Sequence, residues 1–382
     1  MRPLILLAAI SFFSGYATPA SSQSRSDIHD QPANLVLVTM DGVRWQEVFG
    51  GIDADLVQDS RYTSDPERLI EIYGHEERSE RRRRLFPFLW SVISTQGALI
   101  GDRDNDSFME VRNPWWFSYP GYNEILVGRP DPSIDSNAKV WNPNTTFLEI
   151  LNRQDEFSGH VRVYGSWDVF PYIVNTQRSG IPVNAGYATE SPADTARTRW
   201  LNEVSAEAPV LWPTVRTDFL TSGYAIEALK THRPRVIYIA LGETDDFAHD
   251  GNYDRYIDAA YRNDLMLSKL WEWLQSDDDY RDRTTLIVTT DHGRGNSPDT
   301  WSIHSRPTDS AGNIEENAVN ENMGSDQIWL AAIGPGIPST GILVGHWKQS
   351  QVAATALAVL QLDPARHMPE ADAPIKALTT GE

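Results

Sequence analysis

The chain has 382 residues, 40% hydrophobic and 23% charged, with a formal net charge of −20 and no cysteine. That balance describes a folded globular protein and excludes an extended disordered chain. It also excludes a disulfide framework, and the acidic excess argues against a stable nucleic-acid partner, which needs Lys and Arg to neutralise phosphates.

In chain order, Met1-Arg2, an apolar stretch over 4–17 and the small-residue zone 17–22 read as a secretory signal over residues 1–22. The apolar stretch is shorter than the roughly 20 residues that span a bilayer, so no membrane span is expected after cleavage. Export without disulfides fits a bacterial periplasm or the extracellular medium. Residues 23–382 read as a single domain with loop insertions near 51–84, 186–212 and 305–325.

The first expected strand, 34–40, runs into Asp41. Residues 51–84 look charged and irregular, with Arg81-Arg82-Arg83-Arg84 as the solvated entrance to a helix near 85–97. Around Ser118 the segment 110–137 gathers Trp115, Trp116, Phe117, Tyr119 and Tyr122. A strand at 160–164 and a crossover helix at 214–230 precede a second apolar strand, 236–241, which leads into Glu243-Thr244-Asp245 and His249. The spacing predicts a core-facing helix over 254–274 and a third apolar strand over 284–290, ending in Asp291-His292-Gly293. A polar loop carrying His304 follows. A last strand at 328–333, a Gly334-Pro335-Gly336 turn and a helix over 347–361 complete the order. Alternating strands and helices predict an α/β fold, a three-layer α/β/α sandwich with a large, mostly parallel central sheet.

Ligands in such sheets bind outside the carboxyl ends of the strands, so these acids and imidazoles should meet in one crevice. Gathered carboxylates repel one another unless cations lie between them. Asp245 and His249 stack on one face if a helix starts there. Asp291 and His292 converge if the chain turns at Gly293. Imidazole with carboxylate, His304 included, suits zinc. Ser118 is the candidate nucleophile, since a hydroxyl held by a base or a metal can attack. Its plainer reading is a helix N-cap, and the two are compatible. Trp115, Trp116 and Tyr122 either wall a pocket or pack. Glu124 and Glu243 serve either as outer acids or as surface and turn residues.

The order Asp41, Ser118, Asp245-x-x-x-His249, Asp291-His292, His304 resembles the alkaline phosphatase superfamily, and within it the type I phosphodiesterase/nucleotide pyrophosphatase branch. That branch has Thr-Phe-Pro-Asn-His followed by a short run to Thr-Gly; Ser118-Tyr119-Pro120 with Gly128 is similar in order and spacing. The resemblance spans about 34–361. It implies two divalent cations, most readily zinc: one held by Asp245, His249 and His304, the other by Asp41, Asp291 and His292, with Ser118 close to the second. It further implies a phosphoseryl intermediate on Ser118, a small phosphorylated substrate (a phosphodiester or nucleotide), and a phosphoryl contact from Asn137, which lies two residues short of the family spacing. His346 is the alternative to His304 as third ligand, with a helix-capping role as its plainer reading. The sulfatase arginine is missing after Ser118-Tyr119-Pro120-Gly121, where Tyr122 stands. Gly165-Ser166-Trp167-Asp168-Val169 offers no cation of the kind that clamps a terminal phosphate, which favours diesters. The alternatives are an alkaline phosphomonoesterase and a non-catalytic binding protein with a structural metal site.

Overall fold

The computed structural model of the protein describes residues 33–306, Thr308, Ile314 and residues 324–379. Its strands, in chain order, are β1 (Asn34–Met40), β2 (Ala98–Ile100), β3 (Ser107–Glu110), β4 (Val161–Gly165), β5 (Val183–Ala185), β6 (Val236–Leu241), β7 (Thr284–Thr289), β8 (Leu330–Ile333), β9 (Gly341–Ile342) and β10 (Gly345–Lys348). Among the described residues they form an eight-stranded sheet of order β5-β4-β6-β1-β7-β8-β2-β9 and a small sheet of β10 with β3. The helices that cover the large sheet and carry the site are α1 (Ala54–Gln58), α2 (Pro66–Tyr73), α3 (Arg78–Leu85), α4 (Ser118–Val127), α5 (Ala196–Glu207), α6 (Asp218–Thr231), α7 (Glu243–His249), α8 (Tyr253–Ser276) and α9 (Gln351–Val359).

β1, β6 and β7 are buried along their whole length, and successive side chains point to opposite faces. Val36, Val38, Ile237, Ile239, Leu286 and Val288 join one apolar core with Leu220, Tyr224, Leu267 and Leu270. Leu35, Leu37, Val236, Tyr238 and Ile287 join the other with Ile125, Leu148 and Leu357. Each such side chain contributes roughly 1.5–3 kcal/mol by leaving water. Two cores on one sheet make the three-layer sandwich, as continuous β-branched runs require.

The parallel register matters most for the site. Met40 pairs with Leu241, and Thr39 pairs with Thr289. The three strands therefore end at one level, and the residues that follow them must be neighbours. Within the mostly parallel sheet β8 runs antiparallel to β7 and to β2. No helix among the described residues of the connection from β7 crosses back over the sheet, and β8 sets out from the end at which β7 finishes, so the two strands run in opposite directions.

Several boundaries are corrected. Residues 51–84 hold α1, α2 and α3, and the signals for them were present. Asp53 caps α1 by accepting from Asp55 and Leu56 N–H, and Asp65 caps α2, with Pro66 in its first turn. The arginine run is solvated only in part, with Arg83 and Arg84 exposed and Arg81 and Arg82 tied to their surroundings, and it lies within α3 and not at a helix entrance. Arg81 donates to the Gly50 carbonyl, and the Arg82 guanidinium lies 3.5 Å over the Trp90 ring. The expected helix over 85–97 begins earlier, as α3, and is broken near Phe86-Pro87, because proline disfavours a helical residue before it. It resumes as a π-helical turn at Leu89–Ile93. The 186–212 insertion contains α5, whose Leu201 packs into the first core. β8 is followed by β9 and β10, so it is not the last strand, and the final long helix starts only at Gln351. The export signal expected over 1–22 and most of the 305–325 insertion lie outside the described residues. No helix among the described residues is long and apolar enough to cross a membrane.

Candidate active site

At the ends of β1 and β7 stands a buried group: Asp41, Asp291 and His292. The Asp41 backbone N–H continues the ladder to the Leu241 carbonyl, 3.0 Å away. The chain then turns at Gly42, in the left-handed region at φ +61, and its N–H donates to Asp291 Oδ1 at 3.2 Å. A Cβ there would lie 2.8 Å from Asp245 Oδ1, so only glycine fits. His292 Nδ1 lies 2.9 Å from its neighbour's carbonyl, Gly293 O, which leaves Nε2 as the atom facing the site. Nε2 is 3.4 Å from Asp41 Oδ1, 3.4 Å from Asp291 Oδ2 and 3.4 Å from Ser118 Oγ. Both Asp41 Oδ1 and Asp291 Oδ2 are buried without a hydrogen-bond partner. Gly293 has ordinary backbone angles here. What requires glycine is close approach, since a Cβ would meet the Gln327 and Gly324 carbonyls at 2.4 Å.

The second group rides on α7 and a loop. Asp245 and His249 are one helical turn apart, with Nε2 to Oδ2 at 3.2 Å. His304 comes from the loop after β7, its Nδ1 3.2 Å from the Trp116 carbonyl. Its Nε2 is 2.9 Å from His249 Nε2 and 3.7 Å from Asp245 Oδ1. The His292 and His304 rings stack at 3.9 Å, and Asp245 Oδ1 is 3.9 Å from His292 Nε2, so the groups adjoin.

Electrostatics follow from this crowding. Burial and the Asp245 charge raise the Asp41 carboxyl above its ordinary range, and burial with Asp41 raises Asp291 much further. Burial opposes a charge on His292, yet Asp291 and Asp41 hold its proton up to about 9. Asp245 goes the other way: against its burial, Arg294 and His249 pull it well below the usual carboxylate range. Burial and His292 push His304 well down. Carboxylates and imidazoles that converge in this way fit divalent cations by donor type and by the two unpartnered oxygens.

Ser118 is the first residue of α4 and is buried. Phe117 is the N-cap, so the serine hydroxyl is not spent on capping, contrary to its plainer reading. α4 lies close against β7, because a Cβ on Gly121 would meet the Asp291 carbonyl at 2.4 Å. Asn137 sits beside the nucleophile: its Oδ1 accepts the Tyr119 N–H at 2.9 Å. His346 is elsewhere, on β10, with its ring stacked on Phe108 at 4.5 Å; neither a place at this site nor a helix-capping role applies to it.

Some residues escaped the sequence reading. Tyr122 is neither pocket wall nor mere packing: its hydroxyl donates to Asp41 Oδ2 at 2.7 Å. Its place four residues after Ser118 on one helix was the available signal. Arg294, fully buried, pairs with Asp245, and no sequence pattern announced it. Thr244 Oγ1 donates to the Asp41 carbonyl at 2.6 Å, tying α7 to β1. Glu124 is buried and accepts from the Arg112 and Asn113 N–H groups, holding the loop before α4. Glu243, also buried, accepts from the Asp218 N–H. Near the end of β4 the structure supplies a cation after all: Lys139 Nζ lies 2.6 Å from Asp168 Oδ2. The reading of 165–169 missed it because it comes from another segment.

Residues 109–340 match the profile of the family described as Type I phosphodiesterase / nucleotide pyrophosphatase. Among solved structures the chain is similar to the alkaline phosphatase PafA, at 11% identity over 91% of this chain and 99% of that one, with a TM-score of 0.52. It is likewise similar to the 2-O GAG sulfatase BT1596, at 12% identity, 91% and 74% coverage and a TM-score of 0.54. The lipoteichoic acid synthase LtaP from Listeria monocytogenes aligns at 10% identity, 90% and 76% coverage and a TM-score of 0.51. At these identities the likeness establishes the fold. No curated protein matches the chain in sequence.

Proposed function

The chain belongs to the type I phosphodiesterase / nucleotide pyrophosphatase family and is a phosphate-ester hydrolase, and from that premise we propose that it cleaves phosphodiesters or nucleotide pyrophosphates through Ser118. The observation that carries this is the Ser118 hydroxyl, buried and 3.4 Å from His292 Nε2, beside carboxylate oxygens with no partner. Asp41, Asp291 and His292 would hold one divalent cation, and Asp245, His249 and His304 a second, zinc suiting both donor sets. Such ions supply positive charge that lowers the pKa of a nearby hydroxyl and stabilises a leaving oxygen.

The chain's own residues do the rest. Ser118 at the first turn of α4 puts the positive end of a ten-residue helix next to an incoming phosphoryl group. Oγ gives its proton to solvent, attacks phosphorus and forms the phosphoseryl bond as the bond to the leaving alkoxide breaks, and that alkoxide takes a proton from water. Water then attacks phosphorus and frees Ser118. Asn137, anchored through Oδ1, has its Nδ2 left to donate to a phosphoryl oxygen.

Preference for a diester rests on charge. The cation near the β4 end, Lys139, is matched by Asp168, so the pair adds no net charge for a dianionic terminal phosphate. The test compares bis-p-nitrophenyl phosphate with the mono ester. The diester should be turned over faster, and Ser118→Ala should lose that turnover by on the order of a thousandfold while keeping bound metal. Diester turnover that survives in Ser118→Ala removes the assignment.

A further inference from the structure

The two candidate metal positions differ in what surrounds their carboxylates. Asp41 is met by a neutral hydroxyl, from Tyr122, and Asp291 by a neutral backbone N–H, from Gly42. That pocket offers a divalent cation two carboxylates, neither of them paired with an arginine or a lysine. Asp245 is met by a cation. Arg294 Nη2 pairs with Asp245 Oδ1 and also donates to the Asp245 backbone carbonyl at 3.0 Å. Nη1 donates to the Ser302 carbonyl at 2.9 Å, which pins the guanidinium in place, and the residue is fully buried. The other partners of Asp245 are His249, whose Nε2 is 3.2 Å from Oδ2, and His304, whose Nε2 is 3.7 Å from Oδ1, and neither brings a negative charge.

We propose that Arg294 is a positioning residue that makes the Asp245–His249–His304 position the weaker and exchangeable of the two, while Asp41–Asp291–His292 binds tightly. The inference rests on the two-cation reading above. A fixed guanidinium on one ligand oxygen cancels the only carboxylate charge there and repels an arriving dication across a few ångströms. Exposure adds to the contrast: the His249 side chain is 44% exposed, whereas His292 is fully buried. At scarce zinc the protein would hold the inner ion alone, and turnover would follow occupancy of the outer position.

A purely structural Arg294 makes the opposite prediction, which allows a clean test. If Arg294 only braces the loop at Ser302 against α7, losing it disorders the outer ligands and weakens binding. If its charge is what counts, the neutral Arg294→Met should bind the outer ion at least tenfold more tightly. The experiment is a Zn2+ titration of chelator-stripped full-length protein by calorimetry, with metal analysis at saturation. The wild type should show two classes of site separated by at least tenfold, the weaker lost in His249→Ala and the tighter lost in Asp291→Asn. Those wild-type and ligand-variant isotherms decide the ranking even if Arg294→Met fails to fold. Two classes of equal affinity, a weaker class that survives His249→Ala, or unchanged or weakened binding in folded Arg294→Met would each overturn the proposal. Saturation at one ion or none would instead bring down the two-cation reading beneath it.

Discussion

The inner and outer halves of the site are built on different foundations. Asp41 and Asp291 continue directly from β1 and β7, neighbouring strands whose register is locked by a full ladder of backbone hydrogen bonds. Asp245 and His249 sit on the two-turn helix α7, and His304 on a loop tethered through the Trp116 carbonyl. The inner half is thus placed by the sheet itself, with little freedom to shift. The outer half is placed by a short helix and a loop, through side-chain contacts such as that of the Thr244 hydroxyl with the Asp41 carbonyl.

That contrast can be broken by substitution, and the largest effect belongs to the inner half. Asp291→Asn should remove the inner ion and cost activity on the order of a thousandfold or more, above the range of about 10–100-fold that outer partners of a metal ligand carry. Steady-state kinetics with metal analysis decides it, and a loss under tenfold would show that the inner half is not where the chemistry sits. His249→Ala should lose the outer ion and cost about a hundredfold, which raised zinc does not restore. If excess zinc returns full turnover, His249 is not a ligand on which the outer half depends. Tyr122→Phe keeps the ring against Phe170, 4.8 Å away, and removes only the donor to Asp41. It should weaken inner-site zinc affinity by about tenfold with the fold's melting temperature nearly unchanged.

The smallest effect concerns pH. Burial raises the Glu124 carboxyl to about 7, against the pull of the Asn113 and Arg112 N–H groups. Its folded-state value therefore lies above the 4.5 expected when unfolded. The stabilising contribution is complete below pH 4.5 and is lost as pH rises through 7. Glu124→Gln should lack this slope, so melting temperatures of variant and wild type should diverge as pH is raised from 5 to 8. Parallel curves would show that the loop before α4 is held without reference to this proton.

How much of this was legible beforehand depends on whether the signal was local. Runs such as Val36-Leu37-Val38 and Leu286-Ile287-Val288 are apolar on both sides, which marks a doubly covered strand, and β1, β6 and β7 lie where those runs predict. α8 was equally plain from its helical spacing of apolar residues. The helices at 54–85 were misread because a high charge density masked good caps at Asp53 and Asp65. The antiparallel course of β8 was not legible, because direction within a sheet is set by the connection and leaves no mark in the strand's own residues. Lys139 was missed at the β4 end for the related reason that it arrives from a segment 29 positions away from Asp168.

Sequence alone determined which strands are buried on both faces, that acids and imidazoles follow them, and which residue types could share cations, because periodicity and donor chemistry are properties of short segments. Only the tertiary structure decided that β1, β6 and β7 end at one level, that Tyr122 rather than solvent meets Asp41, and that a buried Arg294 shares Asp245. Those outcomes depend on hydrogen-bond register and on charges brought together from distant segments, and both quantities exist only once the chain has closed on itself.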